Sequence, residues 1–193
     1  MGGEFIRAIK ACLITFVLCA VVYPAVVWGA AALLFQPQAD GSLIYTTDGR
    51  TVIGSELVAQ RFVSPRYFQP RPSVVDYHAD ASGGSNLGTK NPDLRQAVAE
   101  RAKALGATLE NPAPADLVTS SGSGLDPEIS IEAAFFQAER VGKARGLSVG
   151  RVRALIEKMT NRSGAILGAP ARVNVLLLNL ELDKSDRFLA TPE

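Results

Sequence analysis

Residues Ala11 to Phe35 read ACLITFVLCAVVYPAVVWGAAALLF, 25 consecutive uncharged and mostly apolar residues. A bilayer core of about 30 Å needs roughly 20 apolar helical residues to cross it, so this run can span with tilt to spare. A cleaved secretory signal would use Arg7 and Lys10 as its basic start and Ala30-Ala31-Ala32 as its cleavage site. Signal cores run about 7–15 residues, whereas this run is longer and continues past that site through Leu33, Leu34 and Phe35. A core helix of a soluble domain is disfavoured on another ground: no face of this segment is polar, and surface helices of soluble domains normally have one. The expected organisation is a short N-terminus, residues 1–10, an uncleaved transmembrane helix, residues 11–35, and a large domain, residues 36–193.

The flanks set an orientation. Arg7 and Lys10 precede the span, and the first basic residue after it is Arg50. The positive-inside rule places the N-terminus in the cytoplasm and the large domain outside. In a bacterium this means the cytoplasmic (inner) membrane, with residues 36–193 extracytoplasmic.

Of the 20 Lys and Arg and 19 Asp and Glu, 18 of each sign fall in residues 36–193. That domain is neutral overall, which argues against a nucleic-acid binder and against a disordered tail. Its length suffices for one hydrophobic core. Both cysteines, Cys12 and Cys19, lie in the span, so the outer domain has no disulfide framework and relies on packing.

Within the span, Ala25 and Gly29 stand four residues apart and Ala32 follows three later. Small residues at this spacing let a second helix approach closely, which makes Ala25, Gly29 and Ala32 candidate partner-contact residues. Pro24 is expected to bend the helix nearby. No charge lies in the span, so one copy does not line an ion path by itself.

Along the outer domain, Leu43 to Tyr45 and Thr51 to Ile53 flank Asp48-Gly49, a hairpin signal. Ser55 is placed to cap a short helix, Glu56 to Arg61. Residues 64–92, SPRYFQPRPSVVDYHADASGGSNLGTKNP, hold four prolines and a Ser/Gly/Asn cluster and read as a long irregular stretch of the kind compact domains keep for a purpose. Asn91 and Pro92 then open a helix to about Leu105, ended by Gly106. After a turn-rich segment, 119–127, Ser130 caps a helix from Ile131 to about Arg145, ended by Gly146. Its expected inward stripe is Ile131, Ala134, Phe135, Ala138, Val141 and Ala144, and Gly142 is expected to weaken its last turn. Ser148 caps a further helix to about Met159, with Val149, Val152, Leu155 and Ile156 inward. The alternation from Val173 to Leu182 reads as a strand. The fold class expected is an α+β outer domain, about four helices on a small sheet, behind one N-terminal transmembrane helix.

Few residues point to chemistry on their own. The Gly/Ser loops Ser82 to Gly88 and Ser120 to Gly124 could present amides to an anion, but neither is a P-loop or a dinucleotide fingerprint, and tight surface turns explain them. His78, the only histidine, has Asp76 and Asp80 nearby but no nucleophile elbow; a zinc site is disfavoured by the same scarcity of ligands. Gln137 and Arg140, three apart on one helix, read as a solvated polar face. Tyr67, Phe68, Arg71 and Tyr77 sit among prolines. Aromatics and Arg in such a loop suit a partner interface and equally suit anchoring the loop to its own core.

Several of these segments together resemble a known family. They are Tyr67-Phe68, Arg71-Pro72-Ser73, Gly84-Ser85-Asn86-Leu87-Gly88 with Asn91, Ala115-Asp116-Leu117-Val118-Thr119 and Ser121-Gly122-Ser123-Gly124-Leu125-Asp126-Pro127. Ile129-Ser130, Ala133-Ala134, Gln137, Arg140-Val141, Ala144-Arg145, Val173-Asn174-Val175 and Leu178-Asn179-Leu180 follow. In this order, behind a single span, the chain resembles the C-subunit family (KdpC) of the bacterial Kdp potassium-transporting P-type ATPase. It departs from that pattern at Ile131, where members often have proline, and at Glu128, where many have histidine.

The resemblance implies a non-catalytic subunit of a four-part complex. Its partners would be a channel-like potassium-selecting subunit, a P-type ATP-hydrolysing subunit and a small single-span subunit. The chain accordingly has no Asp-Lys-Thr-Gly-Thr and no TVGYG-like filter. The resemblance further implies a role in assembling or stabilising the complex and in raising the ATP affinity of the hydrolysing subunit, with Gln137 implicated in nucleotide contact. ATP would be met only through the complex; no tightly bound cofactor is expected. An outer domain does not meet cytoplasmic ATP, so the two expectations agree only if the ATP effect is transmitted indirectly or the topology is inverted. A domain on that side could also cap the potassium entrance. The rival readings are a membrane-anchored hydrolase using His78 and a stand-alone extracytoplasmic binding module.

Overall fold

In the computed structural model, residues 2–190 are described, with side chains for residues 2–185. The chain divides into two units, residues 1–43 and 44–193.

The first unit is the apolar helix. It runs continuously from Gly2 to Leu34, as α1 (Gly2–Val17), a π-helical turn (Leu18–Val22) and α2 (Tyr23–Leu34), with a short α3 (Gln36–Ala39) after it. At 1.5 Å per residue the 33 residues reach about 50 Å, more than a bilayer core. The helix therefore starts well before Ala11 and includes Glu4, Arg7 and Lys10, with Arg7 paired to Glu4 at 3.2 Å. The irregularity expected at Pro24 takes the form of the π-turn. In an α-helix the proline ring would press on the carbonyl four residues back and leave it without a donor. Widening the preceding turn, with Tyr23 N–H donating to Leu18 O, removes that conflict. Ala25 and Ala32 are exposed and Gly29 is half-exposed; apart from the local helix backbone, no atom lies within 4 Å of where a Gly29 side chain would begin.

The hairpin β1 (Leu43–Tyr45) and β2 (Val52–Ser55) falls, from Ile44 on, in the second unit. Thr46 N–H donates to Thr51 O at 2.8 Å across the turn, and Gly49 takes φ +69°. The Thr46 hydroxyl donates to Asp48 and holds that carboxyl below its usual range. Ser55 does not cap a helix; its hydroxyl accepts from Leu57 N–H at 3.1 Å in a local turn. No helix or strand occurs from Glu56 to Asn91, so the irregular stretch is longer than expected.

Three of the remaining helices, α6 (Ile131–Arg145), α7 (Val149–Met159) and α8 (Val175–Ala190), pack with a three-stranded sheet, while α4 (Pro92–Ala104) packs on α5 (Ala115–Val118), a single turn. The strands are β3 (Glu128–Ser130), β4 (Thr160–Asn161) and β5 (Arg172–Asn174), in the order β3-β5-β4, all antiparallel. Ile129 and Val173 pair across it and are both fully buried. Three of the four expected caps form: Asn91 accepts from Asp93 N–H at 2.8 Å, Ser130 from Ala133 N–H at 3.1 Å and Ser148 from Arg151 N–H at 3.3 Å. Each satisfies an amide that has no partner within its helix.

The C-terminal segment is the main departure. Beyond Asn174 it is helical, not extended. Asn174 Oδ1 accepts from Leu177 N–H at 3.1 Å and so caps α8. Val175, Leu176, Leu178, Asn179 and Leu182 then point inward, a spacing of one, three, four and seven. A leucine-rich run satisfies periods of 2 and 3.6 alike, and such ambiguity is settled by length and by residue type. Leu and Glu, without β-branched residues after Val175, favour the helix.

Gly142 has a different role from the one expected. It is buried, and a Cβ there would stand 3.0 Å from Leu147 O. Leu147 N–H donates back to Gly142 O at 2.9 Å, and Gly146 at φ +71° turns the chain. This is a Schellman close, and it brings α7 directly against the end of α6. The buried face of α6 is accordingly Ala133, Ala134, Gln137, Ala138, Val141 and Gly142, with Ile131, Phe135 and Ala144 only partly covered. On α7, Val152 and Ile156 are buried and Val149 is exposed. Replacing an interior helical Gly by Ala ordinarily gains about 1 kcal/mol. Gly142→Ala should instead lose on the order of 1 kcal/mol, because the atom it meets is a fixed carbonyl. Gly150→Ala, with open space around it, should gain up to about 1 kcal/mol. Chemical denaturation of the full chain in detergent reads both.

Candidate functional site

Residues Pro65 to Gln69 lie against α6 and α8 as a strap without regular structure. Pro65, Pro70 and Pro72 remove the donors that a helix or an interior strand would need. Yet a buried backbone must have its polar groups paired, and here side chains supply the partners. Arg140 Nη1 donates to Pro65 O at 2.7 Å and to Tyr67 O at 3.1 Å. Arg145 Nε donates to Arg66 O at 2.7 Å. Asn179 Nδ2 donates to Phe68 O at 3.0 Å, and Gln137 Nε2 to Gln69 O at 3.1 Å. Five consecutive carbonyls are thereby satisfied from two helices.

The amides are closed as well. Arg66 and Tyr67 N–H donate to the Ser64 hydroxyl and carbonyl at 3.3 and 3.1 Å. Phe68 N–H donates to Asn179 Oδ1 and Gln69 N–H to Gln137 Oε1, each at 2.8 Å. Two side-chain amides, one per helix, thus grip the N–H and C=O of two successive residues, as an edge strand would. Gln137 has no capacity left: Oε1 also accepts from Arg140 Nη2 at 2.7 Å, and Nε2 also donates to Ala133 O at 3.3 Å. Gln137 and Asn179 are each 1% exposed, so Gln137 does not lie on a solvated face as its helix position suggested.

Charge reinforces the strap. The Arg145 side chain is fully buried, and its Nη2 pairs with Asp183 Oδ1 at 2.9 Å. The guanidinium lies 4.9 Å above the Tyr67 ring, and the Tyr67 hydroxyl donates to Asp183 Oδ2 at 3.1 Å. Burial, and then the Asp183 charge, pushes the Tyr67 hydroxyl pKa upward. Burial likewise lowers that of Arg140, which stays charged at any accessible pH. Phe68 has no exposed surface and sits in the main core with Ile129, Val141 and Leu178. Of the two roles open to these aromatics, Phe68 takes the core one.

The stretch after the strap brings the two Gly/Ser loops together. Gly83 N–H and the Ser82 hydroxyl donate to Ser123 O at 2.9 and 3.2 Å. A Cβ on Gly84 would stand 3.0 Å from Gly122 O, and one on Gly124, at φ +70°, 2.6 Å from Val75 Cγ2. These glycines serve close backbone approach. Arg71 joins the same region: Nη1 donates to Asp126 at 3.2 Å and Nη2 to Ser120 O at 3.3 Å. Its Nε is buried without a partner. The Tyr77 hydroxyl donates to Arg71 O at 3.0 Å. His78 is exposed, away from any cluster of metal-ligating side chains among the described residues.

Reasoning from periodicity missed Asn179, Arg140 and Arg145 as a working set, because it placed Asn179 on a strand and Arg140 in solvent. The available signal was a lone amide within each apolar stripe, Gln137 after Ala133 and Asn179 after Val175.

A clamped strap, two apposed glycine loops and a preceding apolar span all fall within one family match, K+-transporting ATPase, c chain, which covers residues 5–184. The chain belongs to the KdpC family. A potassium-transporting ATPase KdpC subunit of Parvibaculum lavamentivorans is 47% identical over 181 residues, covering 94% of this chain and 96% of its own. That of Geobacter sulfurreducens is 50% identical over 185 residues, covering 93% and 97%. That of Myxococcus xanthus is 43% identical over 199 residues, covering 100% and 92%. The KdpC resemblance expected from the motifs therefore holds over almost the whole chain, and the strap lies inside it.

Losing either clamp amide leaves one N–H and one C=O of the strap unpaired, at about 1–3 kcal/mol each. Gln137→Ala and Asn179→Ala should each lose about 2–4 kcal/mol, read by chemical denaturation. The raised Tyr67 hydroxyl gives a sign for pH. A folded-state pKa above the unfolded value near 10.0 contributes stability below that pH, which disappears as pH rises through the folded value. Stability should fall above about pH 10, and less steeply in Tyr67→Phe.

Proposed function

We propose that the chain is a non-catalytic accessory subunit of an ATP-driven potassium-uptake complex in a bacterial inner membrane, anchored by one helix with residues 36–193 outside. The observation that carries this reading is the uncharged span Ala11–Phe35, open along Ala25, Gly29 and Ala32. A helix without charge has no means to conduct ions alone, and a small-residue face suits close packing on a larger membrane subunit. The family match and the relatives named as potassium-transporting ATPase subunits support the complex. Its partners on this reading are the channel-like potassium-selecting subunit, the P-type hydrolysing subunit and the small single-span subunit. Gly29→Leu should lower co-purification of the chain with the large subunits several-fold. Retention at the wild-type level would dismiss the small-residue face.

The outside location rests on Arg7 and Lys10 before the span and the absence of Lys or Arg from Gln36 to Gly49. Protease added to sealed right-side-out vesicles should digest residues 36–193. Full protection would reverse the orientation.

On this topology the effect on ATP affinity passes through the membrane subunits, and Gln137 contributes by holding the strap. Support comes from its amide, whose hydrogen-bonding capacity is filled inside the domain. Gln137→Ala and Asn179→Ala should then raise the ATP KM of the complex to a similar degree. A shift confined to Gln137→Ala would favour direct nucleotide contact.

A further inference from the structure

The β4–β5 connection carries two large aliphatic side chains almost wholly in solvent. Ile166 is 97% and Leu167 91% exposed, at the tip of a 3₁₀ turn, Ala165–Leu167. The loop is tightly built. Ala165 N–H donates to Arg162 O, Leu167 and Ala169 N–H to Gly164 O, and Gly168 N–H to Ala165 O, all at 3.0 Å. Gly168 takes φ +77°, and a Cβ on Gly164 would meet Ala169 Cβ at 2.7 Å. The amides of Ala165, Leu167, Gly168 and Ala169 are thereby paired inside the loop and do not rely on water. Arg162 and Arg172 bracket the tip; Arg162 reaches Glu157 at 3.9 Å in an exposed pair, and no Asp or Glu occurs between Lys158 and Arg172.

We propose that this loop dips into the lipid interface of the membrane that holds the anchor, with Ile166 and Leu167 below the headgroups and Arg162 and Arg172 among them. Apolar side chains rimmed by basic ones match an anionic bilayer surface in both hydrophobicity and charge. Placement within the domain favours the same occupant. Met159, three residues before Arg162, lines one groove with Ile44, Tyr45 and Ile53 of the hairpin. Ile44 follows the end of the span, Phe35, by nine residues, a tether of at most about 30 Å. Tyr45 is itself 49% exposed, a residue type enriched at membrane surfaces.

The test uses the full chain, carrying Cys12→Ser and Cys19→Ser, reconstituted in phosphatidylcholine/phosphatidylglycerol vesicles. An environment-sensitive fluorophore is placed at Leu167→Cys, at Ile166→Cys and, as an aqueous reference, at Asp93→Cys on exposed α4. Lipids brominated on the acyl chain should quench both tip labels at least twofold and leave the reference unchanged. Omitting phosphatidylglycerol should reduce the tip quenching. Tip labels quenched by aqueous iodide to the same degree as the reference would overturn the proposal. Labels shielded from both quenchers would also overturn it, and would assign the tip to a protein surface.

Discussion

The domain that follows the apolar span depends on the way its helices hold an irregular strap. Pro65 to Gln69 cannot pair as helix or sheet, yet Phe68 within it occupies the core beside Ile129 and Val141. Burying that ring draws Tyr67 and Gln69 partly under cover beside it, while Pro65 and Arg66 stay exposed, and each strap group left unpaired away from water would cost about 1–3 kcal/mol. Arg140, Arg145 and Gln137 from α6 and Asn179 from α8 supply partners for most of these groups. The clamp therefore couples the two helices through the strap as well as through their apolar contact. It also explains why polar residues with long or forked side chains sit on buried faces, where they would otherwise be destabilising.

That arrangement positions what lies on either side. The strap leads into Arg71 and the two apposed glycine loops, so the longest irregular stretch is held at its start by the core and at its far side by backbone contacts of Gly83, Gly84 and Gly124. The Arg145–Asp183–Tyr67 group closes the opposite end. A buried arginine with a carboxylate, a carbonyl and a ring face as partners is specific to the guanidinium fork, and it fixes the register of α8 against α6. For a subunit whose proposed work is to hold others in place, a domain tied across this much sequence separation is a suitable rigid body.

How much of this was legible follows from where each signal resides. The caps Asn91, Ser130 and Ser148 and the stops Gly106 and Gly146 are local, since each depends on backbone amides a few residues away, and their helices lie where the sequence placed them. Val173 and Asn174 form the strand expected of them, but the segment from Val175 to Leu182 was not legible as a helix, because leucines at both spacings leave the period open. Gln137 looked solvent-facing because nothing nearby in sequence indicates that Gln69 will return to meet it. The family motifs pointed to the right residues without revealing that their amides and guanidinium groups converge on one strap.

By itself the sequence determined an uncharged apolar helix long enough to cross a bilayer, a neutral cysteine-free domain after it, and the ends of most of its helices. These follow from composition, length and neighbours within one turn. Only the tertiary structure decided that Gln137 and Asn179 face inward, that Gly142 serves a close approach, that α8 replaces a strand, and that Ile166 and Leu167 stand uncovered. Those outcomes depend on which segment arrives beside each residue, and for Gln137 and Asn179 that is the strap carrying Phe68, whose buried ring brings backbone that needs pairing.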